Sequence, residues 1–91
     1  MVGKRRLVWN FWNKEHIIKH QVTVIEVEEV IKGEIVEIPT YGKRIIILGE
    51  TNKGRRLTIV VSNGQQLDAY VVSARDMSRK ERSIYEQNQT N

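Results

Sequence analysis

Hydrophobic and polar positions follow helical spacing through the first third of the chain. Trp12, His16 and His20 stand four positions apart, so a helix would stack their side chains along one face. We therefore predict a helix over residues 12–20, preceded by a short opening strand at residues 7–9.

A second helix is predicted directly after the first. Thr23 and Glu26 have the spacing of a capping box, in which each side chain accepts a hydrogen bond from a backbone amide at the helix start. The apolar positions that follow keep helical spacing, and the glutamates between them would face water. The helix should begin at Val24, and Gly33 is well placed to end it.

From residue 34 the period of the apolar positions shortens to two, which is typical of β-strands. Four strands are predicted, over residues 34–38, 44–49, 56–62 and 67–75. Asn63 and Gly64 indicate a hairpin between the last two strands, because both residues tolerate positive φ.

A closing helix is predicted after the strands. Ser78 and Glu81 repeat the spacing of a capping box, and the helix should run to about residue 87, with residues 87–91 as a frayed tail. The element order indicates an α+β fold, with two N-terminal helices, a four-stranded antiparallel sheet and a C-terminal helix. At 91 residues the chain is expected to form a single domain, residues 1–91.

Alternation along the strands predicts which side chains share a face of the sheet. On the third strand, Leu57 and Ile59 point to one side. On the fourth strand, strict alternation puts Arg75 on the same side as Ala69 and Val71.

Composition excludes several classes of function. The chain has no cysteine, which rules out a disulfide scaffold, a thiolate zinc site and a cysteine nucleophile. The longest apolar runs, residues 45–48 and 59–61, are far shorter than the roughly 20 residues of a membrane-spanning helix. We expect a cytoplasmic protein with no membrane contact.

The charged residues are divided unevenly along the chain. The net charge is +4, and residues 23–38 carry five glutamates against one lysine. The basic residues gather elsewhere, at Lys4, Arg5, Arg6, Lys43, Arg44, Lys53, Arg55, Arg56, Arg75, Arg79, Lys80 and Arg82. This division predicts one acidic and one basic side, which fits a polyanionic partner or, as readily, two ordinary solvated faces.

The titratable residues form no familiar enzyme motif. His16 and His20 have the spacing of two metal ligands, but Ile17 stands where the zincin motif needs glutamate and no third ligand is evident. No metal or cofactor is expected, and a hydrogen-bonded, nucleic-acid-facing or acid–base role suits these histidines better. There is no glycine-rich phosphate loop, no carboxylate pair placed for glycosidase chemistry, and no His–Asp set for Ser73.

Arginines at strand ends are the remaining candidates for chemistry. Arg44, Arg56 and Arg75 lie at or near the ends of predicted strands. A planar guanidinium can hold a phosphate through two hydrogen bonds and stabilise a charged phosphoryl transition state. The alternative is that these residues only solubilise the sheet edges.

Four groups of residues resemble a known toxin family. They are Trp9-Asn10 with Asn13-Lys14, His16 and Lys19-His20-Gln21-Val22; Gly42-Lys43-Arg44 leading to Ile47-Leu48-Gly49; Gly54-Arg55 with Leu57; and Val72-Ser73-Ala74-Arg75 with Ser78, Glu81, Arg82 and Tyr85. In this pattern the chain resembles the BrnT-type toxins over about residues 7–87.

The resemblance implies a RelE-like fold and a metal-independent ribonuclease, the toxin of a toxin–antitoxin pair. It also implies a DNA-binding antitoxin as the partner, in a complex that represses its own operon. Two positions depart from the family pattern: Tyr70 stands where many relatives have arginine, and Gln21 replaces a usual glycine.

The resemblance assigns Arg44 and Arg75 as the main site arginines, with Lys19 and His20 on the first helix and Arg82 and Tyr85 on the closing helix. In the nuclease hypothesis Arg44 and Arg75 would stabilise the phosphate, with His20 as the main titrating group and His16 as the second. RNA-binding residues would be Lys19, Arg82 and Tyr85 together with Lys4, Arg5, Arg6, Arg56 and Arg79. RNA would be cut by attack of the ribose 2′-hydroxyl on the adjacent phosphate.

Two alternatives stay open on the sequence. A non-catalytic module could use the same basic groove to bind nucleic acid or an acidic protein segment. A structural or interaction protein could use its arginines only for solubility. The sequence leaves RNA preference, a homo-oligomeric state and the presence of an antitoxin open.

Overall fold

The computed structural model describes residues 5–64 and 67–89. Lys4, a predicted RNA-binding residue, lies outside these ranges, as do residues 65–66 and 90–91. The helices and strands are β1 Arg6–Val8, α1 Phe11–Ile18, α2 Val24–Lys32, β2 Val36–Pro39, β3 Arg44–Glu50, β4 Arg56–Asn63, β5 Asp68–Asp76 and α3 Arg79–Gln87.

The strands form one five-stranded mixed sheet in the order β1-β5-β4-β3-β2. Neighbouring strands are antiparallel except β1, which runs parallel to β5. The predicted four-stranded antiparallel sheet is therefore wrong in this detail, although the α+β class is confirmed. The opening strand ends at Val8, and Trp9 leaves the sheet.

All three helices begin at capping boxes. The Thr23–Glu26 and Ser78–Glu81 boxes are present as predicted. At α1 the cap is Asn10, which exchanges hydrogen bonds with Asn13. The first helix ends at Ile18, two residues earlier than predicted, in a turn where Gln21 has a φ of 60°. A left-handed φ explains why a glycine would suit position 21.

The two faces of the sheet are covered by different helices. On the first face, α1 and α2 pack against a core formed by Ile17, Val22, Val27, Val30, Ile47, Leu57, Ile59, Val61, Ala69, Val71 and Ala74. On the second, α3 packs over Leu48, Met77 and Tyr85, with β2 and β3 side chains around them. We call these surfaces the helical-pair face and the α3 face.

A β-bulge at Val72 reverses the alternation along β5. Val60 pairs with Ser73 while Val61 pairs with Val71, so Val72 is the extra residue. Before the bulge Val71 points into the helical-pair core, and after the bulge Ala74 points into it. Arg75 therefore lies on the α3 face, and the prediction that it shares a side with Ala69 and Val71 is wrong.

An ion pair connects the two outer edges of the sheet. Arg5, just before β1, donates to both carboxylate oxygens of Glu37 on β2, at 2.5 and 3.0 Å. Since β1 and β2 are the two edge strands, the sheet must curl for this contact to form. Among the described residues, no helix is long and apolar enough to cross a membrane.

Candidate nucleic-acid interface

The α3 face is only partly covered by α3. The helix packs over β2 and β3 through Leu48, Ile84 and Tyr85. Further along the sheet, Ser62 on β4 and Tyr70 on β5 pair with each other and lie outside that cluster. We call the uncovered part of this face, formed by Arg44, Val60, Ser62, Tyr70 and Ser73, the open face.

Arg44 and Arg75 lie on the same face of the sheet but at its opposite ends. Arg44 pairs with Ser62 on β4, whereas Arg75 pairs with Thr58, four residues away on the same strand. With two strand spacings between β3 and β5, their Cα atoms are about 16 Å apart. The two arginines therefore bracket the open face and do not form one compact pocket.

Arg75 holds the start of α3 against β5. Its Nη1 and Nη2 donate to the two carboxylate oxygens of Glu81, each at 2.8 Å. Thr58 Oγ1 and the Ser78 amide also donate to Glu81, at 2.7 and 2.8 Å. The hydrogen bonds from Arg75, with those from Ser78 and Thr58, lower the pKa of Glu81 to about 2.

Arg44 differs from Arg75 in its surroundings. Its side chain is exposed, and within residues 5–64 and 67–89 the guanidinium has no hydrogen-bond or ion-pair partner. It lines a shallow groove with Tyr41, Lys43 and Ser62. The ring of Tyr41 is 91% exposed, which leaves an aromatic surface beside two cations. This pair of cations is free to bind an anion.

Three of the predicted RNA-binding arginines already have carboxylate partners. Arg5 pairs with Glu37, and Arg6 pairs with Asp68 at 2.8 Å. Arg56 donates to Glu50 at 2.9 Å and also to Glu86, and its guanidinium lies 5.4 Å from the Tyr85 ring centroid. In the free protein these three cations are therefore already paired with carboxylates.

Tyr85 is not at the surface. Its ring packs with Leu48 and Met77 and is 3% exposed, and burial raises the pKa of its hydroxyl. The prediction that Tyr85 contacts RNA does not fit this position, because its place on the inner side of α3 puts it in the core. Arg79 and Arg82 lie on the outer side of the same helix and are exposed.

Arg55 joins the end of α1 to the end of β5. Its Nη1 donates to the Gln21 carbonyl at 2.8 Å, its Nη2 to the His20 carbonyl at 3.4 Å, and its Nε to Asp76 at 2.8 Å. It also pairs with Glu26 at 3.1 Å. The hydrogen bond from Arg55 lowers the pKa of Asp76. This network holds the His20 backbone at the end of β5 on the helical-pair side, whereas Arg75, the residue before Asp76, lies on the α3 face.

Four exposed residues of α1 and of the turn that follows it form a row. Trp12, His16 and His20 follow one another along the helix, with Lys19 exposed next to them. The rings of His16 and His20 are 5.9 Å apart between centroids. We call these four residues the α1 row. They lie on the outer side of the helix because Asn13 and Ile17 occupy its buried side.

The start of α1 is connected to the open face by one hydrogen bond. Helix α1 packs along β5, whose pairing with β1 ends at Tyr70. Tyr70 Oη donates to Asn10 Oδ1, the cap of α1, at 3.3 Å. His20 and Arg75 are both at the far end of β5, but on opposite faces of the sheet, because α1 packs on the helical-pair face.

Sequence reasoning missed two parts of this arrangement. Arg55 was grouped with the other cations, and nothing in its local sequence indicates carboxylate and carbonyl partners that are 21 to 35 positions away. Trp12 was assigned to a helix but not to the site, although a large ring on an otherwise polar stripe is a signal. Among the described residues, no three metal-ligating side chains come together.

Comparison with known proteins identifies the fold. No family model and no curated protein matches the sequence. A structure search matches the 1.1 Å crystal structure of the Brucella abortus ribonuclease toxin BrnT, with a TM-score of 0.66 and 19% sequence identity. The match covers 82% of this chain and 99% of that one. This chain therefore has the fold of a BrnT-type toxin, as its sequence pattern predicted.

Proposed function

We propose that this protein is a metal-independent ribonuclease and the toxin of a toxin–antitoxin pair. The observation that carries the proposal is the fold shared with a ribonuclease toxin over 82% of the chain. RNA would be cut by attack of a ribose 2′-hydroxyl on the adjacent phosphate. That reaction needs a proton acceptor, a cation at the phosphate and an acid for the leaving oxygen.

The proposed reacting groups are at the end of β5. His20 is the acid–base group, and His16, one helical turn earlier, is the second candidate. Arg75 is the cation at the phosphate: of its five N–H donors, three are used by Glu81 and Asp76. The remaining two can hold a phosphate without breaking the pair with Glu81.

Arg55 is a positioning residue in this proposal. It donates to the backbone carbonyl of His20 and to the carboxylate of Asp76, so it holds the His20 backbone at the end of β5. An acid–base group has to be within hydrogen-bond reach of the proton it moves, so the position of the His20 backbone matters for the rate.

The other end of the open face would hold the RNA backbone. Arg44 and Lys43 are exposed and border the same groove as Tyr41. Phosphate contacts of this kind supply affinity without sequence preference and weaken as salt is added. Arg79, Arg82 and the paired Arg5, Arg6 and Arg56 would add to this electrostatic attraction.

The proposal is tested by incubating purified protein with RNA in EDTA. We expect cleavage with 2′,3′-cyclic phosphate ends. His20→Ala should lower the rate by about 10²- to 10⁴-fold, as expected for the loss of an acid–base group. Lys32→Ala removes one exposed cation from α2 on the helical-pair face and serves as the matched control, with an unchanged rate.

Two results would contradict this function. If the wild-type protein leaves RNA intact, the enzyme proposal fails. Salt-sensitive RNA binding without cleavage, unaffected by His20→Ala, would instead support the non-catalytic binding module.

A DNA-binding antitoxin is the proposed partner, on the strength of the family resemblance. Expression of this chain alone should arrest growth, and co-expression with the antitoxin should restore it. Growth that is unaffected by a fully folded, cleavage-competent protein would contradict the toxin role.

A further inference from the structure

Trp12 is a large aromatic side chain that the fold leaves in water. It is 74% exposed, and its neighbour Phe11 is 66% exposed, with the two rings in an edge-to-face contact at 5.4 Å between centroids. The chain's other tryptophan is different: Trp9 is partly buried, and its indole N–H donates to Glu28 at 2.9 Å. Because most of its side chain is in water, Trp12 adds little buried apolar surface to the fold.

The residues around Trp12 suit a nucleic acid better than an apolar protein partner. The positions that follow it on the same side of α1 are His16, Lys19 and His20, which can carry positive charge or stack. The other exposed apolar side chains of α1, Phe11 and Ile18, are outside this row. An exposed indole beside a lysine and two imidazole rings is a usual composition for a surface that binds single-stranded nucleic acid.

Trp12 is in the first turn of α1, next to the contact between α1 and the open face. Asn10, two residues before it, caps α1 and accepts the hydrogen bond from Tyr70 of the open face. At 1.5 Å of rise per residue, Trp12 lies about 6 Å along α1 from His16, and His20 follows in the turn after Ile18. A strand of RNA at His20 that follows the α1 row would therefore pass over the ring.

We infer that Trp12 stacks on an unpaired base of single-stranded RNA bound along the α1 row. The inference rests on the proposed function and specifies its substrate class, because a duplex keeps its bases stacked on one another and offers no free face to the indole. Stacking accepts any base, so it would supply affinity with little sequence preference.

The test uses RNA that cannot be cut. A 2′-O-methylated single strand lacks the attacking hydroxyl, so its affinity can be measured without turnover. Trp12→Ala should weaken binding by about 5- to 150-fold, the range for loss of one base–aromatic stack. Trp12→Phe should retain most of the affinity, because it keeps a ring, and binding should quench wild-type indole fluorescence far more than that of Trp12→Phe.

Two controls separate stacking from other effects. Ile25→Ala removes a large apolar side chain that is 70% exposed on α2, and it should leave the affinity unchanged. A 2′-O-methylated duplex should bind wild type and Trp12→Ala alike. Circular dichroism should show the same spectrum for all the variants.

Several outcomes would overturn the inference. The first is that Trp12→Ala binds the single strand with full affinity. The second is that Trp12→Ala loses affinity equally for the single strand and the duplex. The third is that the wild type forms an oligomer that Trp12→Ala dissociates without losing RNA affinity, which would identify Trp12 as part of a protein interface. The two proposals fail separately: full affinity with normal cleavage refutes only the stacking, and stacking without cleavage of ordinary RNA refutes only the nuclease.

Discussion

The two ends of the sheet use arginine side chains in different ways. At the end of β5, Arg55 and Arg75 are held by carboxylates from α2, α3 and β5 itself. At the start of β3, Arg44 has no such partner in the described part of the chain, and Lys43 is exposed beside it. The net charge of +4 therefore does not measure the charge available to a ligand.

We expect the paired arginines to contribute mainly to the stability of the fold and the unpaired arginine mainly to ligand binding. A bidentate arginine–carboxylate pair fixes two elements relative to each other, because both groups are planar and directional. An unpaired, exposed arginine contributes little to folding and keeps its donors for an anion. Substitutions at the end of β5 should therefore lower the stability of the protein, whereas substitutions at the start of β3 should mainly weaken ligand binding.

Replacing Arg55 should have the largest effect on folding. Arg55→Met keeps the length of the side chain but removes all its hydrogen bonds, leaving Glu26, Asp76 and two backbone carbonyls without their partner. We expect the free energy of unfolding to fall by about 2–3 kcal/mol, measured by urea denaturation at pH 7. Arg55→Lys should recover only part of it, since an ammonium lacks the planar fork. Stability within error of the wild type for Arg55→Met would contradict this account.

Removing the charge of Glu81 should have an intermediate effect that depends on pH. Because its folded pKa, about 2, is below the ordinary 4.5, the ionised carboxylate stabilises the fold above pH 4.5. That contribution, on the order of 2 kcal/mol, is lost as the pH falls from 4.5 towards 2. The Glu81→Gln protein should be less stable than the wild type at pH 7. Between pH 4.5 and pH 2 it should lose less stability than the wild type does. Parallel stability curves for the two proteins would show that the pair with Arg75 does not act this way.

Replacing Arg44 should have the smallest effect on stability. Arg44→Met, the same change as at Arg55, should alter the free energy of unfolding by less than about 0.5 kcal/mol. RNA binding should weaken several-fold, and the slope of log affinity against log salt should decrease by about one. Lys32→Met is the control, with no change in that slope. A destabilised Arg44→Met protein would contradict the contrast between the two ends.

Local features of the fold could be predicted from the sequence. Thr23 with Glu26 and Ser78 with Glu81 predicted the helix starts, because a capping box is made within four residues. The last three strands also follow from a period of two, within one or two residues at their ends. The family resemblance predicted the fold itself, which the structural match confirms.

Features that depend on distant residues could not be predicted. The short β1 pairs with a strand more than 60 positions away, and no local pattern indicates that partner or its parallel direction. One extra residue at Val72 was enough to move Arg75 to the other face, since alternation cannot reveal a bulge. Arg5 finds Glu37 across 32 positions, so a list of cations could not show which ones are free.

The most direct measurement is the cleavage, in EDTA, of an oligonucleotide that carries a single ribose 2′-hydroxyl among 2′-O-methyl positions. The account predicts one cut, at the phosphate that follows the free hydroxyl, with a cyclic phosphate end and at least a hundredfold slower rate for His20→Ala. No cut, a cut at a methylated position, or an undiminished rate for His20→Ala would contradict it.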